Sequence, residues 1–264
     1  MIELLGAPVR KELIADLEQK IKDNNIIEPV FIYNPASFEA SSYIAMIRKL
    51  CDKLGLKCID NQVASFEETQ EKILEANKNP KASIFLARPL MFKGEKELIS
   101  LIDEDKDADM LTYSNSGHLV QGDINYLPGT ASSVNRLLDY YHIECEGKKC
   151  LIIGRSISVG MPISLMMIKR NALVSVVHSR IKKETIKQYA AASDIIVLCS
   201  GQRGLIEEKD LSSSQVIIDC GYLEDGKGDL GFVPSSVAAF TPVPGGVGPL
   251  TIASLLSNAY FLKK

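Results

Sequence analysis

The amino-acid sequence predicts an α/β protein of two domains. Three observations carry this expectation. Short strands rich in β-branched residues are separated by helix-length segments, the pattern of a parallel sheet buried on both faces. The strand-and-helix rhythm runs twice, on either side of Pro128-Gly129-Thr130. A length of 264 residues suits one large or two modest domains and leaves ample chain for a buried core. The first domain is expected over 1–128, the second over 129–250, and a last helix within 251–264 is expected to return to the first domain, with a cleft between the two.

Taken in order, Val9 to Asp23 has the spacing of an amphipathic helix, and PVFIY (29–33) is a short buried strand. Tyr43 to Leu54 reads as a second helix, stopped by Gly55, and LKCID (56–60) as a strand. Phe66 to Asn77 is helical, and ASIFLARPL (82–90) is a strand that runs into a proline turn. The second half gives a helix over 131–141, a strand CLIIG (150–154), a helix over 160–170 and a strand LVSVVHS (173–179). A helix over 183–191, strands DIIVLCSG (194–201) and QVIIDCG (215–221), and a closing helix from Thr251 to Leu262 complete it.

Composition excludes several classes of function. Lys+Arg at 30 against Asp+Glu at 33 leaves a net charge of −3, so bulk charge gives no affinity for nucleic acid. The opening residues MIELLGAPVRKELIADLEQK carry acids and no long apolar run, so neither a signal peptide nor a membrane span is expected, and the cytoplasm is the expected location. Six cysteines without a CxxC pair read as buried free thiols. His118, His142 and His178 lack metal-ligand spacing, so no metal is expected.

The segment LIIGRSISVGMP (151–162) sets Gly154 directly after a strand and Gly160 at the head of a helix. Such a turn lets backbone N–H groups approach a pyrophosphate at the positive helix end, as in Rossmann-like domains. It departs from G-x-G-x-x-G, because Ser156 replaces the second glycine and the last comes one residue late. An NAD enzyme places an acid about 20 residues on, against the ribose 2′-hydroxyl. Here the strand ends in His178-Ser179-Arg180. A hydroxyl and a guanidinium there, with Arg155 in the turn, are what a 2′-phosphate needs, so NADP is favoured over NAD.

The stretch TPVPGGVGPLT (241–251) is too restricted in composition for an ordinary loop. Together with DKDAD (105–109), PGTASS (128–133), GRSISVGMP, HSR and VIIDCGY (216–222), it resembles the methylenetetrahydrofolate dehydrogenase/methenyltetrahydrofolate cyclohydrolase family, over nearly the whole chain. The resemblance implies a folate-binding α/β domain followed by a Rossmann-like NADP domain, and a homodimer. It implies that Gly154, Arg155, Ser156, Ser179 and Tyr222 line the NADP site, beside the Arg180 already read from the strand end. Pro242, Val243, Pro244, Gly245 and Gly246 would pack beside folate and nicotinamide. Tyr43 and Asp109 would be the catalytic and substrate-binding pair of the other domain. A pterin offers a ring N–H beside an exocyclic amine, a donor pair that one carboxylate accepts in bidentate fashion.

The catalytic centre departs from the family pattern. Members carry a Tyr followed four residues later by a Lys, on one helical face, and that Lys serves the cyclohydrolase step. In PASFEASSYIAMIRKLCDKLG (35–55), alignment by Arg48, Lys49, Cys51 and Gly55 puts the pair on Tyr43 and Ile47. Alignment by Pro35-Ala36-Ser37 puts it on Ala40 and Ile44. Neither register supplies a lysine. The partner Gln falls on Ala87 in FLARPL, the Gly after Asp109 becomes Met110, and a Pro-x-Thr-Pro stretch becomes Pro128-Gly129-Thr130-Ala131. Arg48 and Lys49 point about 100° and 200° around the helix from position 47 and do not substitute. Three functions follow as expectations: an NADP-linked dehydrogenase with weakened or absent cyclohydrolase, a non-catalytic paralogue that binds nucleotide or folate, or a Rossmann-type reductase of another flat, charged substrate.

Overall fold

The computed structural model describes residues 1–23 and 27–263. In chain order it contains β1 (Ile2–Glu3), α1 (Gly6–Lys22), β2 (Glu28–Tyr33), α2 (Phe38–Lys53), β3 (Ile59–Gln62), α3 (Phe66–Asn77), β4 (Ala82–Leu86), α4 (Glu95–Ile99), α5 (Tyr113–Val120) and α6 (Gly129–Tyr140). There follow β5 (Lys149–Ile153), α7 (Gly160–Lys169), β6 (Leu173–Val177), α8 (Lys183–Ala191), β7 (Ile195–Leu198), β8 (Val216–Asp219), β9 (Ala239–Phe240) and α9 (Gly248–Phe261). Two parallel sheets have the orders β3-β2-β4 and β1-β9-β8-β7-β5-β6. The chain divides into two compact units: Met1–Glu12 with Leu119–Thr251, and Leu13–His118 with Ile252–Lys264.

In the second of these units β2 and β4 are apolar on both faces, as a covered parallel sheet requires. Val30, Ile32, Ile84 and Leu86 join Ile73 of α3 and Leu98 of α4 in one core cluster. On the alternate positions Phe31 and Phe85 meet edge to face at 5.8 Å, and the guanidinium of Arg48, on α2, lies over the Phe31 ring.

Helix α2 begins at Phe38, five residues before the expected Tyr43. Asn34 Oδ1 accepts from the Ala36 N–H (2.9 Å), and Ser37 Oγ accepts from the Ala40 N–H (3.1 Å), so an Asx turn leads directly into an N-cap. At the other end Gly55, at φ +71°, lets Leu56 donate back to the Cys51 carbonyl. That stop uses residues 56–58, so the strand expected over 56–60 is corrected to the polar edge strand β3.

The strand expected over 82–90 ends as regular ladder at Leu86. Ala87 still donates to Ile32 O (3.0 Å), but Pro89 has no N–H to continue. Helix α5 escaped the sequence pattern because YSNSGHLV is rich in weak helix formers; it is started by Thr112, whose hydroxyl accepts from Asn115 N–H.

In the larger unit β5, β7 and β8 are central and buried, while β6 is a half-exposed edge. Leu151, Ile153, Ile196, Leu198 and Ile217 pack with Ile186 and Ala190 of α8. β1 pairs with β9 through Ile2↔Ala239 and Glu3↔Phe240, which groups residues 1–12 with this unit, where the sequence boundary had placed 1–128 together. Two-residue strands carry no periodic signal. Helix α9 starts at Gly248 rather than Thr251, since Pro249 is tolerated in a first turn whose N–H groups have no intrahelical partner.

Candidate functional site

In the larger unit the chain passes from β5 to β6 on one side and then crosses to β7 on the other, so the topological switch lies between β5 and β7. Ligands of open parallel sheets bind outside the carboxyl ends of the strands at such a point. A cavity of about 230 Å³ lies there, lined by Gly154, Arg155 and Ser156 after β5, His178 and Ser179 after β6, and Cys199, Ser200 and Gln202 after β7, with Lys183 at the head of α8.

Gly154 has φ +135°, and a Cβ on it would strike the Cys199 backbone, so only glycine fits this turn. Ser156 Oγ accepts from the N–H groups of Val159 (3.2 Å) and Gly160 (3.4 Å), bending the loop into α7. Arg155 makes no hydrogen bond or ion pair with a described residue, so its fork is available to an anion.

Two buried carboxylates tie down the loops that follow β7 and β8. Asp229 accepts from the Ser200 N–H (2.6 Å), the Ser200 hydroxyl (3.0 Å) and the Gly201 N–H (2.9 Å). Asp219 accepts from the N–H groups of Gly221, Asp229 and Leu230. Burial pushes Asp219 up, against the pull of these bonds. The 242–246 loop of the same unit is tied down as well: Gly6 N–H donates to Gly245 O (2.8 Å) and Gly246 N–H to Pro242 O (2.7 Å).

The other unit holds a second constellation. Tyr43 of α2 donates its hydroxyl to Asp109 Oδ1 at 3.1 Å, across 66 residues of sequence. The 107–109 segment is placed by a parallel bridge from Ile84 to Asp107 and by Ala108 N–H donating to Ile84 O (3.2 Å). Asn258 of α9 donates to Ala108 O from the far side. Burial, reinforced by the charge of Asp107, pushes the Asp109 carboxyl up to about 7, against the pull of Arg88 and the Tyr43 hydrogen bond. Burial and the Asp109 charge push the Tyr43 phenol well up. Asp107 is itself a structural carboxylate, accepting from Thr112 N–H (2.7 Å) and Asn115 Nδ2 (3.1 Å).

Of the two helix registers left open by the sequence, Tyr43 with Ile47 is the one that reaches Asp109; Ala40 and Ile44 are buried core residues. Ile47 is fully buried, one turn from Tyr43. Ala87 is buried as well, and Met110 is buried with φ +56°, a left-handed backbone that favours glycine. Among the nucleotide-side residues, Gly154, Arg155, Ser156 and Ser179 come together on the cavity. Arg180 is exposed and outside its lining, its N–H donating to His178 Nδ1 (3.3 Å), and Tyr222 is 74% exposed and also outside.

Lys183, Cys199 and Gln202 escaped the sequence reading. A Lys six residues past the strand end is a findable signal for a 2′-phosphate, whereas Cys199 and Gln202 are placed only by the pairing of β5 with β7. Arg88 also went unremarked, inside a segment read as strand.

A parallel sheet with a polar, glycine-turned cavity at its switch point, joined in one chain to a unit carrying a carboxyl–phenol pair, defines a dinucleotide-dependent enzyme. Residues 128–264 match the family described as tetrahydrofolate dehydrogenase/cyclohydrolase, NAD(P)-binding domain. The bifunctional protein FolD 2 of Lactobacillus johnsonii is 34% identical over 267 residues, covering 97% of this chain and 94% of that protein. The crystal structure of the bifunctional enzyme FolD, methylenetetrahydrofolate dehydrogenase/cyclohydrolase, from Campylobacter jejuni superposes with a TM-score of 0.93 at 29% identity, covering 100% of this chain and 98% of that one. The Trypanosoma brucei enzyme, solved with NADP cofactor and inhibitor, gives a TM-score of 0.88 at 27% identity, covering 98% and 94%. The chain belongs to the tetrahydrofolate dehydrogenase/cyclohydrolase family.

Proposed function

We propose that the chain is an NADP-dependent 5,10-methylenetetrahydrofolate dehydrogenase of one-carbon metabolism whose cyclohydrolase step is weakened or lost, acting in the cytoplasm as a homodimer. The observation that carries this reading is the Tyr43–Asp109 hydrogen bond retained one turn from a fully buried Ile47. The pair that grips a pterin is in place, and the group that would move protons is a hydrocarbon.

The donor set around the switch-point cavity fits the dinucleotide. Arg155, Ser179 and Lys183 offer guanidinium, hydroxyl and ammonium donors, and no carboxylate stands among the lining residues to repel a 2′-phosphate. Bound there, NADP⁺ would supply the hydride acceptor for the methylene carbon of the folate. Asp109, ionised, accepts the pterin ring N–H and exocyclic amine, while Tyr43 fixes the carboxylate's orientation. Hydride transfer leaves the methenyl cation and requires no protein acid or base. Hydrolysis of that cation requires an activated water and managed proton transfers, worth about 10²–10⁴-fold through positioned acid–base groups. Neither Ile47 nor Ala87 has such a group.

The paired assay decides. Purified protein is expected to oxidise methylenetetrahydrofolate with NADP⁺ in preference to NAD⁺ and to accumulate the methenyl product. Folate binding without turnover would identify a non-catalytic paralogue, which Met110 beside Asp109 favours as the second reading. Absence of folate binding would point to a reductase of another substrate.

A further inference from the structure

We propose that Arg88 is a positioning residue of the folate site, setting against the Asp109 carboxylate and the Tyr43 phenol the positive charge that α2 does not supply at Ile47. This assignment rests on the folate reading above and begins from the path of the chain. Ile84 bridges Asp107 in a parallel arrangement, so Leu86, the last residue of β4, comes level with Asp109, and Arg88 follows two residues beyond it. The backbone around it is pinned on both flanks. Ala87 N–H donates to Ile32 O (3.0 Å), Leu90 O accepts from Asn34 Nδ2 (2.9 Å), and Leu90 N–H donates to Glu95 Oε1 (2.7 Å).

Arg88 is half-buried and makes no hydrogen bond or ion pair with any described residue. A guanidinium partly withdrawn from water with no hydrogen-bonded ion partner is costly to hold, and such groups are kept where a ligand or a reacting group uses them. Its field falls on Asp109 and Tyr43 alike, lowering both. The other charges nearby are already paired. Lys106 pairs with Asp103 and Asp105, Lys263 just past α9 with Asp105, and Arg48 of α2 with Asp60. Asp107, on the same segment as Asp109, acts in the opposite sense.

An accepting carboxylate is needed for the pterin donor pair, because a protonated carboxyl presents an O–H where the ligand also presents N–H. Buried beside Asp107, the Asp109 carboxyl is already pushed up to about 7, and without the cation that pulls it down it would be more protonated still at neutral pH. Arginine suits this role because it stays protonated through the working range and takes no part in proton transfer, so it serves binding without restoring hydrolysis.

The test compares Arg88→Leu, Arg88→Gln and Arg88→Lys with the unmodified protein. The Asp109 carboxyl is titrated by carbon-13 NMR, its resonance assigned by its loss in Asp109→Asn, and KM and kcat for methylenetetrahydrofolate are followed against pH. In Arg88→Leu and Arg88→Gln the Asp109 midpoint is expected to rise by about one pH unit, which at pH 7 lowers the ionised fraction, and raises KM, about fivefold, with a smaller change in kcat. The gap closes at pH 9, and Arg88→Lys recovers most of the loss. An Asp109 midpoint that does not move in either neutral variant overturns the proposal, as does a lysine variant no better than leucine. If the unmodified protein fails to turn over the folate, the functional reading falls, and the NMR titration still decides whether Arg88 acts on Asp109.

Discussion

Replacing Asp109 by asparagine isolates the cost of holding a carboxylate beside Asp107. In the folded chain the Asp109 carboxyl titrates near pH 7, pushed up by burial first and by the Asp107 charge second. In the unfolded chain it titrates near the ordinary aspartate value of about 3.9. A folded pKa above the unfolded one means that this group's stabilising contribution is complete below about pH 4 and is lost as pH rises through about 7. Asparagine keeps the shape and lacks the titration. Relative to the parent, Asp109→Asn therefore gains stability with pH. Between pH 5 and pH 7 the gain spans two pH units, about 2.7 kcal/mol at 1.36 kcal/mol per unit, and it levels off beyond. Solvent reaches part of this half-buried side chain and screens it, so about half of that, roughly 1–1.5 kcal/mol, is expected between pH 5 and pH 8. Urea unfolding at pH 5 and pH 8 on both proteins reads the difference directly. A stability gap between variant and parent that does not change with pH, or that narrows as pH rises, refutes the reasoning.

Two further outcomes test the other features of the sites. Arg155 is exposed on the switch-point cavity with its fork uncommitted, so Arg155→Ala should weaken NADP binding about 10- to 100-fold and leave NAD nearly unaffected, measured by calorimetry with both nucleotides; equal losses would remove the 2′-phosphate assignment. Met110 is buried at φ +56°, so Met110→Gly and Met110→Ala each lose about 2–4 kcal/mol of packing, but glycine alone relaxes the backbone and should come out about 1 kcal/mol more stable than alanine in denaturant unfolding; alanine equal or better would show that the turn is unstrained.

How far the sequence could be read follows from where its signals are local. Helices α3 and α8 are found over the residues expected, Phe66–Asn77 and Lys183–Ala191, because each carries an apolar stripe of helical period and its ends are marked nearby, α3 by Ser65 capping Glu68 N–H. The buried strands β5 and β7 were legible as β-branched runs between helices. β1 and β9 were not, since two paired residues separated by more than 230 positions have no local signature. On the nucleotide side the turn from Gly154 to Gly160 is a contiguous motif, and the structure leaves it at the mouth of a cavity. The Tyr43–Asp109 pair is the opposite case, joined across the sheet by the Ile84–Asp107 bridge, and only the family resemblance brought the two together in the sequence. Arg88 remained hidden because an arginine at a strand end, next to a proline, resembles any solvated turn residue until the register of the neighbouring segment is known.

The two half-reactions of this family place different demands on a protein, and the residues of this chain divide along that line. Hydride transfer asks for geometry: a cradle for the dinucleotide, a carboxylate for the pterin and room for two rings. Each is a matter of backbone turns and fixed acceptors, and on the proposed reading Gly154 serves the first and Asp109 the second. Hydrolysis asks for a group whose proton comes and goes near neutral pH. Ile47 has none, and it is not merely absent chemistry: it is fully buried on the face of α2 that also carries Ile44 and Leu50, so that face is committed to packing. A lysine returned to position 47 would lose that packing and bury a charge at once, and only the one-turn approach to Tyr43 and Asp109 offers its ammonium a partner. The cation at Arg88 comes from the end of β4 instead, where its charge reaches Asp109 without disturbing the helix. On the proposed reading, substrate capture and proton shuttling are uncoupled in this chain, the first resting on the charge of Arg88 just past β4 and the second lost where Ile47 is committed to packing.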